Sequence, residues 1–248
     1  MEIFKKTTNS EHPDSQVCRI PLAEDERDLY MENGHPVRMS DITWRIFRIM
    51  AEFVEGFQFL SKLKQEVTIF GSARTPASNR WYKEAEKLGG LLAGADFTVV
   101  TGGGPGIMEA GNKGAYDAGG ESVGLNIQLP HEQRVNPYVK TARGFHYFFT
   151  RKVILAASAQ AYVYFPGGFG TQDELFEIIT LIQTKKSEHV PVVLVGKDYW
   201  EPWDRFVREV MFKDFETISE EDTDIYKIVD SAEEAFKIIQ ATKERTFF

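Results

Sequence analysis

Three times in this chain a short apolar run ends in a glycine-rich turn and passes into a helix-forming segment. The turns are Phe70-Gly71-Ser72-Ala73, Thr101-Gly102-Gly103-Gly104-Pro105-Gly106 and Pro166-Gly167-Gly168-Phe169-Gly170-Thr171. The apolar runs Val67–Phe70, Phe97–Thr101, Ser122–Ile127, Gln160–Phe165 and Val190–Val195 read as strands. Trp81–Ala93, Ile107–Ala118, Phe149–Ala157, Thr171–Gln183 and Trp200–Val210 carry helical periodicity between and after them. Short apolar strands alternating with helices specify an α/β fold, an open parallel sheet with helices on both faces. Ligands of such sheets sit beyond the carboxyl ends of the strands, which is where all three glycine turns fall.

Ahead of this unit, residues 1–39 are polar, contain Pro13, Pro21, Gly34 and Pro36, and show no sustained period, so they read as an extended N-terminal arm. Residues 40–248 then form one domain with a leading and a trailing helix. Ser40-Asp41 caps the leading helix, which runs to Leu63. Ile42, Ile46, Ile49, Met50, Phe53, Phe57 and Leu60 share one face, and Trp44, Phe47, Ala51 and Val54 widen it. A helix apolar over so much of its circumference is expected to be covered on two sides, by the body of the domain and by a partner subunit. A homodimer or a larger homo-oligomer follows as an expectation. Gln128–Arg143, with Pro130 and Pro137, lacks clean periodicity and reads as a long loop beside the ligand edge, while Ser231–Lys243 reads as one more amphipathic helix.

Composition narrows the partners. The 248 residues carry a net charge of -8, which argues against the broad basic surface that nucleic acid or acidic membranes require. No stretch approaches the roughly 20 apolar residues of a membrane span, and the start of the chain lacks the apolar core of a leader, so a cytoplasmic protein is expected. Cys18 stands alone, which excludes an intrachain disulfide and a cysteine-rich zinc site, and the five histidines are scattered without metal-ligand spacing. No metal is expected.

Glycine lets the backbone adopt positive φ and lets a ligand approach without a Cβ in the way, and the free amides of the following helix attract an anion. A phosphate is the natural occupant. Any one of these turns alone would serve equally well as a tight strand-to-helix connection; three at one sheet edge favour a binding site. Neither common nucleotide fingerprint fits. The Gly102–Gly106 run does not continue as Gly-Lys-Ser/Thr, and the first strand ends in Gly71-Ser72-Ala73 rather than G-x-G-x-x-G.

The segment Pro166-Gly167-Gly168-Phe169-Gly170-Thr171-Gln172-Asp173-Glu174 resembles the PGGxGTxxE signature of the LONELY GUY family, the cytokinin riboside 5'-monophosphate phosphoribohydrolases. The resemblance extends from about Val67 to Val195 and takes in Gly71-Ser72, the run from Thr101 to Met108, and Arg151-Lys152. It implies a Rossmann-like fold, commonly dimeric, and hydrolysis of the N-glycosidic bond of a nucleoside 5'-monophosphate, a cytokinin riboside monophosphate or AMP, to free base and ribose 5-phosphate. It implies Glu174 and Arg151 as catalytic residues and no cofactor. The substrate-binding set comprises Gly71, Ser72, Thr101, Gly102, Gly103, Gly104, Gly106, Met108, Phe148, Lys152, Pro166, Gly167, Gly168, Gly170 and Thr171. Phe148 stands where the family pattern Met-x-x-Arg-Lys has methionine.

From spacing alone, Glu174 could equally be the N3 residue of a capping box behind Thr171, and Arg151 a surface arginine in a helical first turn. Asp173 reads as a solvated helix residue, Glu177 as a carboxylate one turn beyond Glu174, and Glu109 as an N-terminal helix carboxylate. Asn126, Gln128, His131, Glu132 and Gln133 are weaker candidates for the pocket wall. Many members of the family once carried a lysine decarboxylase label, but that chemistry needs a lysine Schiff base to a pyridoxal cofactor, and the signature loop holds no lysine. Two rivals remain: a carrier that binds a nucleotide or a pterin-type cofactor without turnover, and a single-strand DNA binder, which the acidic balance disfavours.

Overall fold

The computed structural model describes residues 39–127 and 135–242. The expected N-terminal arm and Gln128, His131, Glu132 and Gln133 lie outside these residues.

The chain order is α1 (Met39–Leu60), β1 (Glu66–Phe70), α2 (Arg80–Ala93), β2 (Thr98–Thr101), α3 (Ile107–Asp117), β3 (Ser122–Ile127), β4 (Thr141–Phe145), α4 (Phe148–Ala157), β5 (Ala161–Tyr164), α5 (Phe169–Gln183), β6 (Val192–Val195), α6 (Lys197–Arg205), β7 (Tyr226–Val229) and α7 (Ala232–Ile239). Among the described residues seven strands form one sheet in the order β4-β3-β2-β1-β5-β6-β7, and every pairing is parallel. The Rossmann-like expectation holds. β1 pairs with both β2 and β5, so the winding reverses between β1 and β5 and leaves a crevice at their carboxyl ends.

Period-two alternation divides the core. Val67, Ile69, Val99, Val163 and Val193 face α2, α3 and α7 on one side of the sheet. Phe70, Val100, Tyr162, Tyr164 and Leu194 face α4, α5 and Trp200 of α6 on the other, with Phe53 and Leu60 of α1 packed outside them.

Four elements differ from the sequence reading. Residues 135–140 of the expected loop Gln128–Arg143 are irregular, as read, but its last three residues open the edge strand β4, whose exposed Thr141 and Ala142 and buried Phe145 offer no apolar run to announce it. β7, the opposite edge, is a second strand outside that reading, with Tyr226 and Val229 buried and Lys227 exposed between them. The helix expected at Trp200–Val210 is α6 followed by a π-helical segment, Phe206–Asp214. On α1 the expected single face is split: Gly56 is buried and Ile49, Phe53 and Leu60 are partly covered, whereas Ile46, Met50 and Phe57 are exposed together with Trp44, Phe47 and Val54. The contact stripe is narrow because it centres on Gly56, where a Cβ would come within 2.7 Å of the Ile154 side chain.

The α2–α3 crossing is set by glycine for the same steric reason. A Cβ on Gly114 would collide with the Glu86 carbonyl oxygen, and one on Gly89 with the carbonyl of Gly111, so the two backbones touch. Alanine gains about 0.5–1 kcal/mol over glycine inside a helix, and overpacking costs about 1–3 kcal/mol. Gly114→Ala is therefore expected to destabilise the fold. Gly90→Ala, whose Cβ would meet nothing nearer than the Gly114 carbonyl at 3.6 Å, is expected to stabilise it by up to about 1 kcal/mol. Urea midpoints of the two variants check this; shifts of the same sign would contradict it.

Candidate active site

At the crevice between β1 and β5 the three glycine turns are tied together by one residue. Ser72 donates its N–H to the Pro166 carbonyl (3.1 Å) and accepts the Ile107 N–H on its own carbonyl (3.0 Å). The side chains must then be small. A Cβ on Gly71 would lie 2.6 Å from Ile107 Cγ2; Gly106, at φ +70°, would drive a Cβ into the Ser72 carbonyl.

The second turn rests on a buried polar network. Thr101 Oγ1 donates to Asn112 Oδ1 (2.6 Å) and accepts the Gly103 N–H (2.9 Å). Asn136 Nδ2 reaches both Asn112 Oδ1 (2.9 Å) and the Gly104 carbonyl (3.0 Å), and the Asn136 N–H reaches the Gly103 carbonyl (2.9 Å). Gly103, at φ +69°, lies against Asn126, whose Oδ1 would be 2.5 Å from a Cβ there. Asn112 and Asn136 were not among the sequence candidates. An asparagine inside α3 was the available signal, since asparagine is a poor helix former unless its amide has partners to meet.

The third turn opens α5. Its N-cap is Gly168 and its first residue Phe169, so Thr171 is not the cap, and Glu174 lies in the second turn rather than the first. This removes the capping-box reading. The first intrahelical bond, Gln172 N–H to the Gly168 carbonyl (3.1 Å), leaves the N–H groups of Phe169, Gly170 and Thr171 ahead of it. Space around Gly168 and Gly170 is open, with no atom within 4 Å of where a Cβ would be. Gly167 is closed in, its carbonyl accepting the Tyr199 hydroxyl (2.5 Å).

Glu174 and Arg151 arrive from different helices and meet. Arg151 Nη2 lies 3.9 Å from Glu174 Oε1, with side chains only 15% and 9% exposed. A Cβ on Gly102 would sit 2.8 Å from Met108 Sδ and 3.4 Å from Arg151 Nη1, which places the second glycine turn, Met108 and the guanidinium in one cluster. Phe148 is exposed, its ring 5.4 Å from the Arg151 guanidinium. Burial pushes the Glu174 carboxyl up from 4.5 to about 7, with Arg151 and Lys152 pulling it down and Glu177 and Asp173 pushing with the burial. Burial also lowers the Arg151 pKa, against the attraction of Glu174 and Asp173.

Lys152 turns away from the glycine turns toward α5, pairing with Asp173 (2.8 Å) and Glu177 (3.3 Å). Asp173 is exposed, as a solvated helix residue is, and also serves as this ion-pair partner. Burial pulls the Lys152 ammonium down, but the Asp173 hydrogen bond and the carboxylates of Glu177 and Glu174 outweigh it and leave the pKa raised. Glu109 accepts the Tyr82 hydroxyl (2.9 Å) from α2, which accounts for it without a ligand. Among the described residues no group of three His, Cys, Asp or Glu could hold a metal ion, and no helix is long and apolar enough to cross a membrane.

A protein-family model described as "possible lysine decarboxylase" matches residues 108–239. The chain is similar to the probable cytokinin riboside 5'-monophosphate phosphoribohydrolase LOGL5 of Oryza sativa subsp. japonica, at 28% identity over 155 residues covering 61% of this chain. That alignment spans 62% of the rice protein, under two thirds of its length. It is similar to the cytokinin riboside 5'-monophosphate phosphoribohydrolase of Rhodococcoides fascians, at 26% identity, covering 62% of this chain and 79% of that one. Among solved structures, the molybdenum cofactor carrier protein from Chlamydomonas reinhardtii superposes with a TM-score of 0.55 at 23% identity, covering 71% of this chain and 96% of that one. The molybdenum cofactor binding protein from Rippkaea orientalis gives 0.54 at 23% identity, covering 71% and 94%. Likeness at that identity bears on the fold.

With its pKa raised from 4.5 to about 7, Glu174 holds a proton in the folded chain over a pH range where the unfolded chain has released it. Stability from this group is full below the unfolded value and is lost as pH climbs through the folded one. Glu174→Gln carries no titratable proton. Its stability relative to the parent is therefore expected to improve between about pH 5 and about pH 7.5, read as a growing difference in melting temperature. A difference that stays constant across that window would contradict the burial-driven shift.

Proposed function

The chain belongs to the family described as possible lysine decarboxylases, with the phosphoribohydrolases among its relatives, and from this and the site's geometry we propose that it hydrolyses the N-glycosidic bond of a nucleoside 5'-monophosphate. The observation that carries the reading is the buried Arg151–Glu174 pair, 3.9 Å apart, beside Gly102 and one helical turn beyond the open N-terminus of α5.

Each part has a task in that reaction. The N–H groups at the start of α5 and the Gly102–Gly104 turn hold the 5'-phosphate, a dianion for which unpaired helix amides are a natural host. As the bond from C1' to the base nitrogen breaks, its electron pair leaves with the base and positive charge develops on the ribose. The ionised Glu174 carboxylate stabilises that charge, accepts the proton of the water whose oxygen bonds to C1', and returns a proton to the departing base. Arg151 keeps its charge and offers donors to the phosphate or to the base nitrogen that receives the electrons. Decarboxylation fits these residues poorly. A Schiff base requires a neutral amine, and Lys152 is held as an ammonium by Asp173 and Glu177.

AMP is therefore expected to yield adenine and ribose 5-phosphate, while adenosine, which lacks the anchoring phosphate, is cleaved at least about 100-fold less efficiently. Glu174→Gln and Arg151→Ala are expected to lose about 100-fold or more in kcat, with AMP binding by calorimetry retained in the former. Chromatography of released base across nucleoside monophosphates and nucleosides measures this. Nucleotide bound at full affinity and never cleaved by the parent protein would make the chain a carrier instead.

We infer in addition that the protein is a homodimer through α1. Trp44, Ile46, Phe47, Met50 and Val54 are exposed on one helix, a larger apolar patch than scattered surface residues produce. Light scattering at micromolar concentration is expected to give twice the chain mass of 28.3 kDa. The double variant Trp44→Glu, Phe47→Glu should give the single-chain mass; a parent monomer would refute the interface.

A further inference from the structure

Arg151 is buried, yet little of its own bonding fixes it. Its Nε has no hydrogen-bond partner, and the nearest carboxylate oxygen is 3.9 Å from Nη2, beyond hydrogen-bond reach. The direction of the guanidinium therefore depends on where α4 places its first turn. The N-cap of α4, Tyr147, makes no side-chain cap, so the positive end of the helix must be met by something else.

Glu52 of α1 meets it. Its Oε1 accepts the His146 N–H (2.6 Å), and its Oε2 accepts the Tyr147 N–H (3.3 Å) and the hydroxyl of Thr150 (2.5 Å). Thr150 is fully buried and immediately precedes Arg151, whose N–H makes the first bond of the helix, to the Tyr147 carbonyl (3.3 Å). One turn along each helix, Gly56 seats on Ile154, and next to it Glu55 pairs with Arg143 of β4. The carboxylate is thus held in register with the β4–α4 junction from both sides.

We propose that Glu52 is a positioning residue of this active site: by binding the exposed amides and Thr150 at the start of α4, it fixes the turn that aims Arg151 at Glu174 and Gly102. The assignment rests on the phosphoribohydrolase reading and gives α1 a part in the chemistry separate from its exposed apolar face. Glu52 touches no reacting atom; it acts through Thr150 and Arg151.

The test is a mutant cycle on the full chain with AMP. Glu52→Ala is expected to lower kcat about 10- to 100-fold, the range that a displacement near 1 Å produces, with KM changed by less than about threefold. In an Arg151→Ala background the same substitution should cost less than about twofold, because the group it positions is gone. Thr150→Val, which removes the hydroxyl and keeps the branched shape, should show the same kcat loss, and Thr150→Ser should restore it; this pair carries the test if Glu52→Ala does not fold. A Glu52→Ala or Thr150→Val enzyme with kcat within twofold of the parent would overturn the proposal, as would a loss that is undiminished without Arg151. Those results leave the function standing, provided Arg151→Ala alone is inactive. If Arg151→Ala itself turns over at the parent rate, the reading of the site fails, and the role given to Glu52 fails with it.

Discussion

The two backbone hydrogen bonds of Ser72 tie the three glycine turns together. The turns after β1, β2 and β5 belong to segments far apart in sequence, and each alone is a strand-to-helix connection with its own preferred geometry. By giving its N–H to Pro166 and its carbonyl to Ile107, Ser72 makes one rigid floor of all three. Room for those bonds exists only because Gly71 and Gly106 have no side chains. Gly71 and Gly106 are therefore structural in the first instance, and the open space lies at Gly168 and Gly170, where an added Cβ would meet nothing within 4 Å.

Topology then brings the charged pair to that floor. The chain must travel from the edge strand β4 to β5, which lies beyond β3, β2 and β1 in the sheet. α4 begins this crossing packed on β3 and β4, and from there the Arg151 side chain reaches Gly102, just past the end of β2. α5 starts immediately after β5 and carries Glu174 inward in its second turn, where Leu175, Ile178 and Ile182 hold the helix against the sheet. A carboxylate and a guanidinium, each costly to bury alone, face each other because two separate crossovers end at the same switch point.

Much of this was legible in the sequence because it is written in local chemistry. The apolar runs of β1, β2, β3, β5 and β6 and the glycine turns between them state a parallel sheet without reference to anything distant. β4 escaped because it buries little, only the last residue of Thr141–Phe145 being fully covered; β7 is four residues long with Lys227 exposed inside it, too short a pattern to stand out. The start of α5 was misplaced by two residues because threonine is a common cap and phenylalanine is not, yet the turn is closed by Gly168. Asn112 and Asn136 were missed for a different reason: their meaning lies in each other and in Thr101, and pairing across 24 positions leaves no periodic trace. Glu52 is the extreme case. It sits among acidic and apolar residues on α1 like any solvated glutamate, and nothing in its neighbourhood points to the helix end that it meets 94 residues later.

The proposed phosphate site has to work within an acidic chain. With a net charge of -8 the long-range field opposes such a ligand, so the attraction has to be local. Side-chain cations supply little of it. Lys152 is occupied by Asp173 and Glu177, and Arg151 faces Glu174. What remains is the backbone: the amides ahead of the first bond of α5, with those of Met108 and Glu109 in α3, since the Ile107 N–H is already given to Ser72. Such donors carry no net charge to be neutralised by the surrounding carboxylates, so the acidic surface and the anion site can coexist. Near these amides the Glu174 carboxyl is held close to its own titration point, leaving it able to exchange a proton at neutral pH.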